Sequence, residues 1–168
     1  MSKLSILLFG LILFCFVGNA QDSALQRTKY IITRSVHDDM DLTNFELRRG
    51  GELIFEFDNQ QLVKFINYSS IDKTSSFGSV YALKVDTLKD KDYPKNYTWT
   101  RFKWNFKNDY DSITGTADID LLLKETVYES RFYLKMVIPK MNSVTEYWGY
   151  KEGTKNEYIL SETVHKKH

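Results

Sequence analysis

The residues of this chain that could take part in chemistry are few and scattered. His37 precedes Asp38 and Asp39, a grouping that could ligate a metal ion or supply a general base with carboxylate support. Because adjacent side chains of an extended chain point apart, we expect His37 and Asp38 to diverge, and we interpret the segment as a polar turn after a strand. His165 and His168 belong to a polar tail, residues 165–168.

The acidic residues offer two further possibilities, a calcium loop and a catalytic pair. An EF-hand loop starting at Asp109 would need glycine at its sixth position and glutamate at its twelfth, where this chain has Thr114 and Asp120. Glu56 and Asp58 are spaced to share one strand face, but that face is opposite an apolar one, so we expect it to be wet. The sequence predicts no metal site and no acid–base pair.

Covalent catalysis finds equally little support. The only cysteine is Cys15, and no Gly-x-Ser-x-Gly motif occurs. We find no cofactor motif either, so the chain is predicted to be no enzyme.

The aromatic residues are the remaining feature. If they face the inside of a barrel, they could line a pocket for a small ligand, with Arg101 or a tyrosine at the rim to orient a polar head. The alternative is a packed core, and the sequence leaves both open. The candidate pocket residues beside Arg101 are Phe55, Phe57, Phe102, Trp104 and Phe132.

Period-two alternation of apolar and polar residues predicts half-buried antiparallel strands. The apolar faces are Leu53–Phe57, Tyr81–Val85, Phe102–Phe106, Ala117–Leu123 and Phe132–Ile138, taking every second residue. Weaker patterns predict four more strands, at Tyr30–Val36, Leu62–Tyr68, Thr145–Tyr150 and Tyr158–Val164.

Polar segments between these runs predict the connections. Short turns are expected at Asp58–Gln60, Asn108–Ser112, Lys124–Thr126 and Lys140–Asn142, and longer loops at Ser69–Gly78 and Lys89–Lys95. The best helix candidate is one or two turns near Ser23–Lys29.

Short connections favour strands that are neighbours both in sequence and in space. The predicted fold is therefore all-β, an antiparallel up-and-down meander of eight or nine strands that closes into a barrel, over residues 21–164. A β-sandwich uses the same alternation and is the alternative.

The first twenty residues resemble a secretory signal peptide. Lys3 precedes the apolar run Leu4–Val17, and Gly18 and Ala20 place small residues at a cleavage site. Removal after Ala20 would take away Cys15 and, with Lys3, reduce the 23 Lys and Arg to the number of Asp and Glu, which is 22. The expected mature chain is secreted or periplasmic, free of disulfides and of membrane spans, and without the charge that a nucleic-acid partner would need.

In pattern, the chain resembles the lipocalin-like (calycin) group of secreted barrels. The runs that carry the resemblance are Gly51–Phe57, Trp99–Phe106, Gly115–Leu123 and Phe132–Ile138. Two typical lipocalin motifs, Gly-x-Trp and Thr-Asp-Tyr, are absent. The resemblance implies a closed barrel that holds a small apolar ligand.

From the aromatic faces and the lack of catalytic motifs, we predict an exported, non-enzymatic protein that holds a small hydrophobic or amphipathic ligand. The alternative is a structural or protein-interaction domain of the cell envelope with a packed core.

Overall fold

The fold is built almost entirely of β-strands. The computed structural model describes residues 25–87, 97–125 and 130–154. The predicted signal peptide, the loop Lys89–Lys95 and the predicted strand Tyr158–Val164 lie outside these residues. The elements are β1 (Gln26–His37), β2 (Met40–Asp41), α1 (Thr43–Arg49), β3 (Gly51–Asp58), β4 (Gln61–Ser69), β5 (Thr74–Thr87), β6 (Tyr97–Asn108), β7 (Thr114–Glu125), β8 (Ser130–Ile138), a 3₁₀ turn (Pro139–Met141) and β9 (Ser143–Lys151).

Eight of the described strands close into an antiparallel barrel. Strands β3 to β9 each pair with the next along the chain, and β1 pairs with both β3 and β9. The first half of β1 faces β3, from Gln26 opposite Phe57, and its second half faces β9, ending with His37 opposite Thr145. The short β2 pairs only with the end of β1. The predicted meander and its closure are confirmed, and the β-sandwich is not the fold.

The predicted alternation places most apolar faces inside the barrel. On β6, Phe102, Trp104 and Phe106 are buried, whereas Arg101 and Lys103 are exposed. Strands β7 and β8 follow the same pattern, because neighbouring positions in register share a face.

Strand β5 departs from the prediction in two ways. A β-bulge lies between Tyr81 and Lys84, and Ala82 has a left-handed φ of 52°. The bulge breaks the period of two, so Tyr81 (41% exposed) does not face the core as expected, although Leu83 packs against it. Val85, near the end of the strand, is 59% exposed. The strand also begins at Thr74, so the predicted loop Ser69–Gly78 is shorter than expected.

The sequence predicted a helix where the structure has a strand, and it predicted no helix where the structure has one. Gln26–Lys29, part of the helix candidate Ser23–Lys29, belongs to β1 and pairs with β3. The described helix is α1, which was not predicted. Asp41 Oδ1 accepts a 2.8 Å hydrogen bond from the Thr43 amide at its start, and Gly50, at φ 62°, ends it in the left-handed conformation.

Two predicted turns meet different outcomes. Asn59 and Gln60 form the expected tight turn between β3 and β4, both with positive φ. Lys124 and Glu125, predicted to begin a turn, are instead the last residues of β7. Among the described residues, we find no helix whose length and apolar character would allow it to cross a membrane.

Candidate ligand-binding site

The middle of the barrel is filled by aromatic rings. Phe55 stacks on Phe65 at 4.9 Å between ring centroids, and Phe65 meets the edge of Trp104 at 4.8 Å. Phe102 contacts both phenylalanines, at 6.5 and 5.8 Å. Such spacings are those of rings in direct contact, so this layer is packed core.

The structure brings most of the predicted pocket residues together, but inside this core. Phe55, Phe102, Trp104 and Phe132 are buried in it, and Phe57 packs against it while partly exposed. They pack against one another because the interior of an eight-stranded barrel is about as wide as the side chains that fill it. Only part of this set can therefore face an open space.

Arg101 lies on the outside of the barrel instead of at its rim. It follows the alternation of β6, since Phe102 beside it points inward. Its guanidinium binds Asp86 Oδ2 at 2.6 Å and lies over the ring of Trp99 at 4.4 Å.

An open chamber of about 380 Å³ lies above the aromatic layer, at one end of the barrel. At this end β1, β4, β6 and β8 finish, and α1 lies against β1. The volume of the chamber is typical of a pocket for a small organic molecule. The residues that define its chemistry are Ser35, Glu46, Asn67, Trp104, Thr145 and Tyr147.

Two polar atoms of the chamber residues are buried without a hydrogen-bond partner. Within the described residues, only three buried side-chain atoms are in this condition: Ser35 Oγ, Trp104 Nε1 and Ser130 Oγ. The first two belong to the chamber lining. Leaving such a group unpaired costs about 1–3 kcal/mol. Both atoms lie behind the chamber surface, since almost none of their own surface is accessible.

Tyr147 presents a third polar group to the chamber. Asn67 Nδ2 donates a 3.1 Å hydrogen bond to Tyr147 Oη, which keeps its own proton to donate. Burial, and next the negative charge of Glu46, raise the pKa of Tyr147. The hydroxyl therefore stays protonated at physiological pH.

Glu46 is the buried acid of the chamber. The residue is 8% exposed, and burial raises the pKa of its carboxyl, opposed by the charge of Arg49. Arg49 Nη1 is 3.8 Å from Glu46 Oε1, but Arg49 Nε binds Asp72 Oδ2 at 2.8 Å. Gly51 makes room for this carboxylate, since a Cβ there would lie 2.6 Å from Glu46 Oε2.

His37 lies at the edge of the chamber in a hydrogen-bonded position. Its Nδ1 is 2.8 Å from Thr145 Oγ1, and its Nε2 is 3.3 Å from Asp38 Oδ2. The expected divergence of His37 and Asp38 is wrong, because Asp38 has a positive φ of 45° that turns the chain back. In the part of the chain that the structure describes, no three His, Cys, Asp or Glu residues are grouped as a metal site would need.

Sequence reasoning missed Ser35, Glu46 and Asn67 as chamber residues. Glu46 could have been placed on a helix, because Asp41 stands before the segment and Arg48, Arg49 and Gly50 end it in the usual order of helix-terminal residues. Nothing in the local pattern identifies Ser35 or Asn67, whose position depends on which strands meet across the barrel.

Comparisons of the chain with protein-family models, with curated proteins and with solved structures find no match. The fold and site define a closed eight-stranded antiparallel barrel with a packed middle and a polar chamber at one end.

Proposed function

We propose that this protein binds a small amphipathic molecule in the end chamber and has no catalytic role. The observation that carries the proposal is a chamber of about 380 Å³ whose wall joins polar groups, among them the Tyr147 hydroxyl and the Glu46 carboxyl, to apolar side chains. The Tyr147 hydroxyl keeps a proton to donate, so it calls for an acceptor oxygen or nitrogen on the ligand.

The composition of the chamber wall supports an amphipathic ligand over a pure hydrocarbon. Apolar side chains stand beside the polar ones, so the wall can contact an apolar body while its donors fix a polar head. The apolar members of the lining are Leu42, Phe106, Ile113, Met136, Ile138 and Met141.

The proposal also covers the export of the protein and the class of binding protein to which it is similar. The chain would be an exported, lipocalin-like binding protein whose leader, Met1 to Ala20, is removed on secretion or transfer to a periplasm. A closed eight-stranded meander is the architecture that this resemblance implies.

Tryptophan fluorescence tests the proposal directly. Replacing Trp99 and Trp148 by Phe leaves Trp104 as the sole indole, placed at the floor of the chamber. We expect a saturable change on titration with at least one member of a panel of fatty acids, fatty alcohols, alkylamines, retinoids and haem. A folded protein that gives no saturable change with the whole panel contradicts the proposal.

A matched pair of variants locates the site. Tyr147→Phe removes the donor hydroxyl of the chamber wall and should weaken binding about 3- to 10-fold, since a hydrogen bond contributes about 0.5–1.5 kcal/mol. Thr116→Ala, on the opposite, outer face of β7, bonds only Asn105 and should leave affinity unchanged. Equal effects of the two variants would place the ligand elsewhere.

The packed middle of the barrel favours a second candidate, a protein-interaction domain of the cell envelope. Exposed apolar side chains at the chamber end would then form the contact surface, among them Phe45, Tyr110 and Met141. Native mass spectrometry of the protein from its own host separates the two: a retained small molecule supports the binding protein, and a stoichiometric second chain supports the alternative.

A further inference from the structure

We infer that the polar head of the chamber's ligand is a protonated amine, bound by the carboxylate of Glu46. The inference rests on the proposed function and deepens it by naming the chemical class of the head group. It follows from the charges, the hydrogen bonds and the aromatic rings of the chamber.

The first argument is the balance of charge. The ionisable side chains of the lining, apart from tyrosines, are His37, Glu46, Arg49 and Asp111. Arg49 is the cation that could neutralise Glu46, but its guanidinium binds Asp72 Oδ2 at 2.8 Å and Thr74 Oγ1 at 3.2 Å. Its 3.8 Å separation from Glu46 Oε1 is too long for a hydrogen bond.

The other two charged groups do not reverse this balance. Asp111 adds a second negative charge, and its carboxylate accepts hydrogen bonds from the Ile113 amide at 2.9 Å and from Asn108 Nδ2 at 3.3 Å. His37 is already next to Asp38, at 3.3 Å. The chamber therefore favours a positive guest over a carboxylate or a phosphate.

The second argument is the hydrogen bonding of Glu46. Its carboxyl is almost fully buried, and none of the hydrogen bonds found among the described residues reaches its oxygens. A largely buried carboxylate that has only solvent as a donor is poorly stabilised, and an ammonium group supplies both the donors and the opposite charge.

The third argument is the aromatic wall. Trp104 and Phe106, whose centroids are 5.0 Å apart, line the same chamber as Tyr147. Aromatic faces attract cations, with Trp the strongest. Because the Tyr147 hydroxyl keeps a proton to donate, the best guest is an amine that carries a hydroxyl or carbonyl oxygen nearby.

Four probes with the same alkyl chain test the head group: N-octylethanolamine, octylamine, octanol and octanoate. Titration calorimetry of the mature chain at neutral pH should rank N-octylethanolamine first, octylamine next, octanol below both and octanoate last. Octanoate binding as tightly as octylamine, or tighter, overturns the amine inference while leaving a binding chamber in place. Failure of all four probes overturns the inference, and the fluorescence panel then decides the proposed function separately.

Substitution of Glu46 tests whether its carboxylate binds the positive charge of the ligand's head group. Glu46→Gln keeps the shape and should weaken octylamine about 10-fold or more, because a hydrogen bond to a charged group is worth about 1.5–3 kcal/mol in general. The affinity for octanol should change by less than about 3-fold. An equal loss of affinity for octylamine and octanol would mean that Glu46 maintains the shape of the chamber without binding the ammonium group, which contradicts the inference.

Asp118→Asn is the control, since it removes a carboxylate outside the chamber, where it binds Lys103 Nζ at 2.6 Å. It should change the affinity for octylamine by less than about 3-fold. If Asp118→Asn weakens octylamine binding as much as Glu46→Gln does, the assignment to Glu46 is wrong. Should the Glu46 variant not fold, the ranking of the four probes on the wild-type protein still decides the head group.

Discussion

Asn67 donates a hydrogen bond to Tyr147 across the interior of the barrel, with 3.1 Å between Nδ2 and Oη. The two residues lie on β4 and β9, which are separated in the sheet by β1 and β3. The bond therefore joins strands that share no ladder. Both residues line the chamber, so the same contact supports its wall and presents the Tyr147 hydroxyl to a guest.

Removing the Tyr147 hydroxyl should destabilise the fold. Tyr147→Phe removes the hydrogen-bond partner of the partly buried Asn67 amide, and we expect a loss of about 1–2 kcal/mol in the free energy of unfolding. Chemical denaturation measures it. Tyr110→Phe is the control, since Tyr110 is 59% exposed, and it should change stability by less than about 0.5 kcal/mol. Equal stability of the two variants would show that the cross-barrel bond contributes nothing.

The aromatic layer should dominate stability. Phe55→Ala removes a ring that is 2% exposed and stacked on Phe65, and should cost about 3–5 kcal/mol. Ile71→Ala, at a position 65% exposed, should cost less than about 0.5 kcal/mol. The comparison is made by urea unfolding followed by circular dichroism. A loss below about 1 kcal/mol for Phe55→Ala would mean that the middle of the barrel is not packed.

The turn between β3 and β4 offers a stabilising substitution. Gln60 has φ 68°, a left-handed conformation that glycine adopts without strain. Gln60→Gly should therefore raise the thermal midpoint, corresponding to about 0.5–1 kcal/mol. Asn59→Gly should gain less, because asparagine tolerates φ 47° better than glutamine would. A lower midpoint for Gln60→Gly would contradict the turn geometry.

Glu46 should make stability depend on pH. Burial raises the pKa of its carboxyl above the ordinary 4.5, so the folded state holds this proton more tightly than the unfolded state does. The wild-type carboxylate therefore destabilises the fold at neutral pH, and this penalty disappears as the pH falls. Glu46→Gln should be more stable than wild type at neutral pH, and the difference should vanish below about the unfolded pKa of 4.5.

The neighbouring substitution Leu47→Gln separates this effect from a change in α1 itself. Leu47 is half exposed and does not titrate, so its variant should differ from wild type by an amount that is independent of pH. Thermal unfolding at a series of pH values measures both variants. A pH-independent difference for Glu46→Gln would show that its carboxyl is not destabilised by burial.

Among the predicted features, the inner faces of β6, β7 and β8 followed from the sequence. Phe102, Trp104 and Phe106 alternate with polar residues, and their burial depends only on the two-residue period of an extended chain. The same rule failed on β5, because the bulge at Ala82 is a property of how two strands fit together. Alternation predicts a face only while the ladder remains regular.

The predicted pocket residues and the chamber lining share Trp104. Phe55 and Phe102, from the same predicted set, lie where rings fill the barrel. The sequence gives the volume of each side chain, but it does not give the volume of the barrel interior that the side chains must fill. Whether an aromatic face encloses a cavity is decided by the radius and closure of the barrel.

By itself, the sequence determined that the chain forms antiparallel strands with an aromatic inner face, since both follow from local period and composition. Only the tertiary structure decided that β1 closes the sheet onto β9, and that α1 carries Glu46 beside Trp104 and Tyr147 in one chamber. The reason is physical: strand pairing and chamber walls join residues far apart in the chain, and their meeting depends on sheet twist and register, which no short segment encodes.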